Sequence, residues 1–149
     1  MSRLERYLHE TIPLTVAMGV GVRSEDPERV VLAAPLAPNI NHKQTAFGGS
    51  VAALATLAAW SLAQLRAWQA GDGITLVIRD SRMEYLRPVT AELVAVCEFD
   101  DDAAWQRALA QLRRRGRARL ELASRLESAA DGTAARFHGT FVLLAGDGR

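Results

Sequence analysis

Acidic side chains are missing from one long stretch of this 149-residue chain: between Glu28 and Asp72 there is no Asp or Glu. Neither a carboxylate base nor a carboxylate nucleophile can therefore come from that span. His42 is the one group within it that titrates near neutrality. Lysine is almost absent. Seventeen of the eighteen basic residues are arginine, and the single lysine, Lys43, lies in the same acid-free stretch. Cysteine occurs once, at Cys97, which excludes an internal disulfide and fits a reducing, cytoplasmic setting. Its place in the apolar run 93–99 makes it a small buried hydrophobe rather than a nucleophile. An excess of charge of one sign is also missing. The formal net charge is +1, so no whole-molecule field favours nucleic acid or a membrane. The first ten residues carry four charges and no apolar core, so no secretory leader is expected.

What is present is ordinary globular material, 49% hydrophobic and 23% charged, enough for one core in a single domain over 1–149. Residues 44–65 carry no charge and are long enough to cross a bilayer. That run carries Gly48-Gly49-Ser50 near its start, draws its apolar content largely from alanine, and is flanked by segments that alternate like strands. It reads instead as a helix buried on all sides by its own protein.

The spacing predicts a short amphipathic helix over 3–11, with Leu4, Tyr7 and Leu8 on one face and Pro13 near its end. Strands over 16–24 and 29–34 follow, joined by a turn at 25–28. A loop over 35–47 leads to a long helix over 48–70, ending at Gly71-Asp72-Gly73. Strands are expected over 74–86 and 90–99, then a helix over 101–114 with Asp101 or Asp102 at its start. Alternation over 115–127 puts Arg115, Arg117, Arg119 and Glu121 on one face and Ala118, Leu120, Leu122 and Leu126 on the other. Asp131-Gly132 is a hairpin turn before a last strand over 136–144. Strands joined by short turns are mostly antiparallel, and a curved sheet of six can wrap one long apolar helix. A helix open on one flank favours a dimer.

The polar residues concentrate where the loop meets the long helix. The first N–H groups of a helix have no partner within it and carry partial positive charge. Glycines at 48 and 49 let a ligand approach them, and an oxygen turning negative is the natural guest. The competing reading is that the glycines let helix and sheet meet, with Ser50 as the N-cap. Asn41 lies seven residues before Gly48, near enough to fold over the helix start and share an oxyanion hole with it. Asn side chains bonding backbone in a turn are the alternative, and this suits Asn39. Elsewhere, His9 and His138 lack a matching Cys or carboxylate cluster, so no metal is expected. Asp80, Arg82 and Glu84 alternate on a face that reads as solvated or dimer-facing. The cluster at Arg113, Arg114, Arg115 and Arg117 is either a solvated helix end or a contact for coenzyme A phosphates or an acidic carrier protein. Nucleic acid fits poorly, because no aromatics are interleaved with the charge.

The order of elements and the run Pro35-Leu36-Ala37-Pro38-Asn39-Ile40-Asn41-His42-Lys43-Gln44-Thr45-Ala46-Phe47-Gly48-Gly49-Ser50 resemble the hot-dog superfamily and, within it, the YiiD C-terminal thioesterase family. Tyr85-Leu86-Arg87-Pro88-Val89 resembles the hot-dog third-strand signature. The resemblance spans nearly the whole chain. It implies an α+β hot-dog fold, a six-stranded curved antiparallel sheet wrapped around one central helix. It also implies a homodimer, with further pairing to a tetramer open, acting on acyl thioesters of coenzyme A or acyl carrier protein. CoA or phosphopantetheine then arrives with the substrate, and no separate cofactor is expected. Members include stand-alone malonyl-acyl carrier protein decarboxylases, in which a loop Asn is critical; Asn41 is the match, with Gly48 and Gly49 as its partners. His42, Lys43, Thr56, Arg87, Arg114 and Arg115 are the candidate substrate-binding residues. In typical hot-dog thioesterases the helix bears an acid where this chain has Thr56, and a His where it has Phe47. Both departures favour malonyl-thioester decarboxylation, which brings its own carboxylate, over hydrolysis. A non-catalytic acyl-CoA-binding module is the remaining reading.

Overall fold

The computed structural model describes residues 1–71, 73–128 and 132–146. In chain order come α1 (Arg3–Thr11), α2 (Pro13–Met18), β1 (Gly21–Asp26), β2 (Arg29–Ala34), a 3-10 turn (Ala37–Asn39), α3 (Gly48–Ala70), β3 (Ile74–Tyr85), β4 (Leu93–Glu98), α4 (Ala103–Arg115), β5 (Arg117–Ser128) and β6 (Gly132–Ala145). All pairings are antiparallel, in the order β1-β2-β4-β5-β6-β3. The sheet wraps α3, as the hot-dog resemblance implies.

The wrapping follows from composition. Alternation in β5 buries Ala118, Leu120, Leu122, Ser124 and Leu126 and exposes the residues between them. On α3, Leu54 and Leu62 are fully buried, and truncating either to alanine costs about 2–5 kcal/mol. Ala55, Ala58, Ala59 and Ala63 add little bulk, so the sheet closes up until the Ser124 hydroxyl donates to the Ala55 carbonyl at 2.7 Å. Although α3 is long and apolar enough to span a membrane, most of it is covered by the sheet. Its open flank shows half-buried Ala52, Ala53, Thr56 and Leu57. Further along, Tyr7 of α1 stacks on Trp60 and meets Trp68 edge-on. At the end of α3, Arg66 donates to the Pro27 carbonyl (2.6 Å), pairs with Asp102 and lies over the Phe99 ring, tying α3 to the β1–β2 turn and to α4.

Two local expectations are corrected. Residues 13–18 form α2, so 16–18 are helical rather than the start of the expected strand. Pro13 takes the first helical turn, Gly19 closes the helix in the left-handed region (φ 74°), and the Thr15 hydroxyl bonds the Leu8 and Ile12 carbonyls. Arg115 ends α4 instead of opening β5, because Gly116 (φ 78°) supplies the helix stop. Asp131, half of the expected hairpin turn, lies outside the described residues.

β3 is a sheet edge, and it is long and partly apolar. Val77 and Ile78 are exposed, as are Tyr85 at its end and Leu86 beyond. A bulge between Ile78 and Asp80 shifts the register, after which Asp80, Arg82 and Glu84 stand on the outer, exposed face.

Candidate functional site

The start of α3 is uncapped. Phe47 occupies the N-cap position with extended backbone and makes no side-chain cap. Ser50 sits inside the helix as its third residue, so it is not the N-cap. Among the described residues no acceptor meets the backbone N–H groups of Gly48, Gly49 or Ser50. These are the groups on which the helix concentrates positive potential. Only Gly49 has a steric reason to be there. A Cβ on Gly49 would lie 2.3 Å from the Phe47 ring, and one on Gly48 would touch the Tyr85 ring at 3.6 Å.

The loop before the helix is pinned by two asparagines. Asn39 is buried; its side-chain amide N–H groups donate to the Met18 and Pro35 carbonyls, and its backbone carbonyl accepts the Phe47 N–H at 2.7 Å. Asn41 organises the tip. Its Oδ1 accepts the backbone N–H of Lys43 (2.8 Å) and of Thr45 (3.2 Å). Its Nδ2 donates to the Thr45 hydroxyl (2.8 Å) and the Ala46 carbonyl (3.3 Å). This tight reversal puts Gln44 at φ 64°. Ala46 then donates to the Val89 carbonyl at 2.8 Å, tying the loop to the segment after β3.

A cavity of about 350 Å³ lies where the three segments meet. Thr45, Gly48, Val51, Tyr85, Arg87 and Val89 are among its walls, and the Tyr85 hydroxyl donates to the Gly48 carbonyl at 3.3 Å. Among the described residues no carboxylate, histidine or cysteine lines it. The arrangement is equipped to hold an oxygen that gains negative charge, but not to take a proton from water.

The sequence candidates divide into two groups. Gly48 and Arg87 line this cavity; Asn41 reaches its wall only through Thr45 and Ala46, and Gly49 follows Gly48 on the helix without lining it. His42 and Lys43 are exposed on the loop tip; only the Lys43 backbone is engaged, by Asn41. Thr56 lies two turns into α3, half-buried, with its hydroxyl on the Ala52 carbonyl (2.7 Å). Arg114 and Arg115 lie at the opposite end of the molecule. Arg117 pairs with Leu144 and Leu144 with Thr75, at the start of β3, whereas the cavity is at its end. Ten residue steps of strand, from Thr75 to Tyr85, separate the two, roughly 33 Å. Within one chain the arginine cluster therefore does not reach the cavity. Cys97 is fully buried, with its thiol pushed up to about 12 chiefly by burial, as expected for a packing residue. Among the described residues no group of three His, Cys, Asp or Glu side chains gathers to hold a metal. Sequence reasoning noted Thr45 and Tyr85 but gave neither a place in the site; the structure puts both in its wall.

A family model described as "Putative thioesterase (yiiD_Cterm)" matches residues 1–145. Among solved structures, a protein of unknown function from Chlorobaculum tepidum superposes with a TM-score of 0.92 at 28% identity, covering 97% of this chain and 93% of that one. A putative thioesterase from Shewanella oneidensis gives 0.79 at 29% identity, covering 95% of each chain. A thioesterase from Haemophilus influenzae shares the fold at a TM-score of 0.74 and 14% identity, covering 95% of this chain and 88% of that one.

Proposed function

The chain belongs to the putative thioesterase (yiiD_Cterm) family of hot-dog proteins, and from that premise we propose that it is an enzyme acting on acyl thioesters of coenzyme A or acyl carrier protein, with malonyl-thioester decarboxylation as its reaction. One observation carries the choice of reaction: uncommitted helix N–H groups open beside a cavity that, among the described residues, has no carboxylate, histidine or cysteine in its walls.

In a malonyl thioester the bond between the α-carbon and the carboxylate breaks. Its electron pair forms the enolate, whose charge rests on the thioester oxygen, and CO₂ departs. The α-carbon then takes a proton from water. The barrier lies in the enolate, and donors aimed at its oxygen lower it. The N–H groups of Gly48 and Gly49, with the loop that Asn41 organises, are the proposed oxyanion hole. Arg87, in the cavity wall, adds positive charge on the side where the anionic part of the substrate would lie. The apolar walls from Val51 and Val89 favour converting a carboxylate into neutral CO₂.

Hydrolysis is the second reading, favoured by the family's description as thioesterases. It needs a general base, which a second subunit would have to bring. The exposed apolar residues on the β3 edge and the open flank of α3 support a homodimer. Antiparallel pairing of two β3 edges would set the end of one against the start of the other. That would bring one chain's arginine cluster toward its partner's cavity.

One assay separates the readings. The protein is incubated with malonyl-CoA, malonyl-carrier protein and a panel of acyl-CoAs, and CO₂ and free thiol are followed. CO₂ with the thioester retained supports decarboxylation, and thiol release supports hydrolysis. Binding with neither product makes the chain a non-catalytic acyl-CoA-binding module.

A further inference from the structure

The orientation of the Asn41 amide is fixed by its neighbours. Two backbone N–H groups, of Lys43 and Thr45, point at one end, so that end is the oxygen. The other end faces the Ala46 carbonyl, so it is the NH₂ group. Both amide hydrogens are thereby spent inside the loop, one on the Ala46 carbonyl and one on the Thr45 hydroxyl. It follows that the Thr45 oxygen is an acceptor toward Asn41 and must use its own proton elsewhere. Among the described residues that proton has no acceptor, and Thr45 is half-buried in the wall of the cavity that holds Gly48.

From this geometry we propose that Thr45 is a catalytic residue: its hydroxyl proton is the side-chain donor to the thioester oxygen as that oxygen becomes negative, and Asn41 is the positioning residue that aims it. The inference rests on the reading that a thioester occupies this cavity, and it assigns one donor within that site. Accepting a hydrogen bond from Asn41 polarises the hydroxyl and makes it a better donor. Asn41 also holds the Thr45 backbone N–H, so the amide fixes both the main chain and the side chain of the donor. No proton is transferred in this step; the hydroxyl keeps its hydrogen while the carbon–carbon bond breaks.

The test is steady-state kinetics on the full chain with malonyl-CoA, following CO₂, together with thermal melts. Thr45→Val keeps the branched shape and removes the donor. It should lower kcat about a hundredfold, in the range measured for loss of one oxyanion donor, with KM within threefold and the melt intact. Thr45→Ala repeats the removal with a smaller side chain, and Thr45→Ser should recover activity to within tenfold of wild type. Asn41→Ala should also lose kcat, and adding Thr45→Val to it should cost less than threefold more, because both act through one hydroxyl. Thr45→Val and Thr45→Ala within threefold of wild type would overturn the inference and leave the cavity's role standing. So would losses at 41 and 45 that multiply, or a serine variant no better than valine. A wild-type protein that turns over no thioester would overturn both the inference and the reading beneath it.

Discussion

Replacing Gly48 separates the stability of the helix start from its chemistry. Gly48 opens α3 with no positive φ, so a side chain there meets no backbone strain. The space is also adequate: an added Cβ would sit 3.6 Å from Tyr85 Cε1 and 3.8 Å from Cζ, ordinary contact distances. Glycine spends more chain entropy on ordering than alanine does, and a compatible Gly→Ala change gains about 0.4–1 kcal/mol. For a domain of this size that is roughly 1–4 °C in Tm. Gly48→Ala should therefore melt at or slightly above the wild-type temperature. The new methyl nevertheless stands between the helix start and the Tyr85 ring, both of which wall the cavity. Approach of a thioester oxygen to the N–H groups is then restricted. Gly48→Val narrows the gap further and should lose about a hundredfold in kcat/KM, the scale of one blocked oxyanion donor, with alanine intermediate. The measurements are a thermal melt and CO₂ release from malonyl-CoA on the same preparations. A valine variant that folds and works at the wild-type rate would show that no reacting oxygen visits this end of α3.

At Gly139 the same change has the opposite sign for stability. A Cβ there would lie 2.5 Å from Phe137 and 3.2 Å from Phe141, rings that are both fully buried, so Gly139→Ala should cost about 1–3 kcal/mol in denaturant melts. Asp102 has its carboxyl held below the usual carboxylate range, first by the hydrogen bond from Arg66 and then by Gln106. A lowered folded-state pKa adds stability above the unfolded-state pKa, and that stability is lost as pH falls through the folded value. Asp102→Asn should therefore lower Tm at pH 7, and the gap to wild type should close in acid; a gap independent of pH would refute the ion pair's role. The Cys97 thiol, buried and raised to about 12, should react with thiol reagents at pH 8 only as the protein unfolds. For the arginine cluster, Arg114→Glu with Arg115→Glu should raise KM for malonyl-carrier protein; an unchanged constant removes docking from that surface.

Much of the fold could be read from residue spacing, because one face or one period dominated each element. The alternation over 117–126 reports a half-buried strand, and the absence of charge over 44–65 reports a helix enclosed by its own sheet. Failures came where backbone chemistry outweighed the pattern. Val16 and Met18 sit in a segment with strand-like composition, but Pro13 and the left-handed Gly19 delimit a helical turn between them. Gly116 moved Arg115 out of the strand for the same reason. The site divides in a similar way. That Asn41 lies in the loop leading into the Gly48-Gly49 helix start follows from a seven-residue separation and the start of a helix. Which atom of the loop faces the cavity does not. It depends on a reversal at Gln44 with φ 64°, and on two backbone N–H groups claiming the Asn41 oxygen. Composition places an amide near the helix; only the closed loop shows that the amide is already satisfied and that the hydroxyl proton left without an acceptor among the described residues belongs to Thr45. In this loop Asn41 marks the site, and the proposed donor is Thr45, the side chain on which the amide has spent a hydrogen.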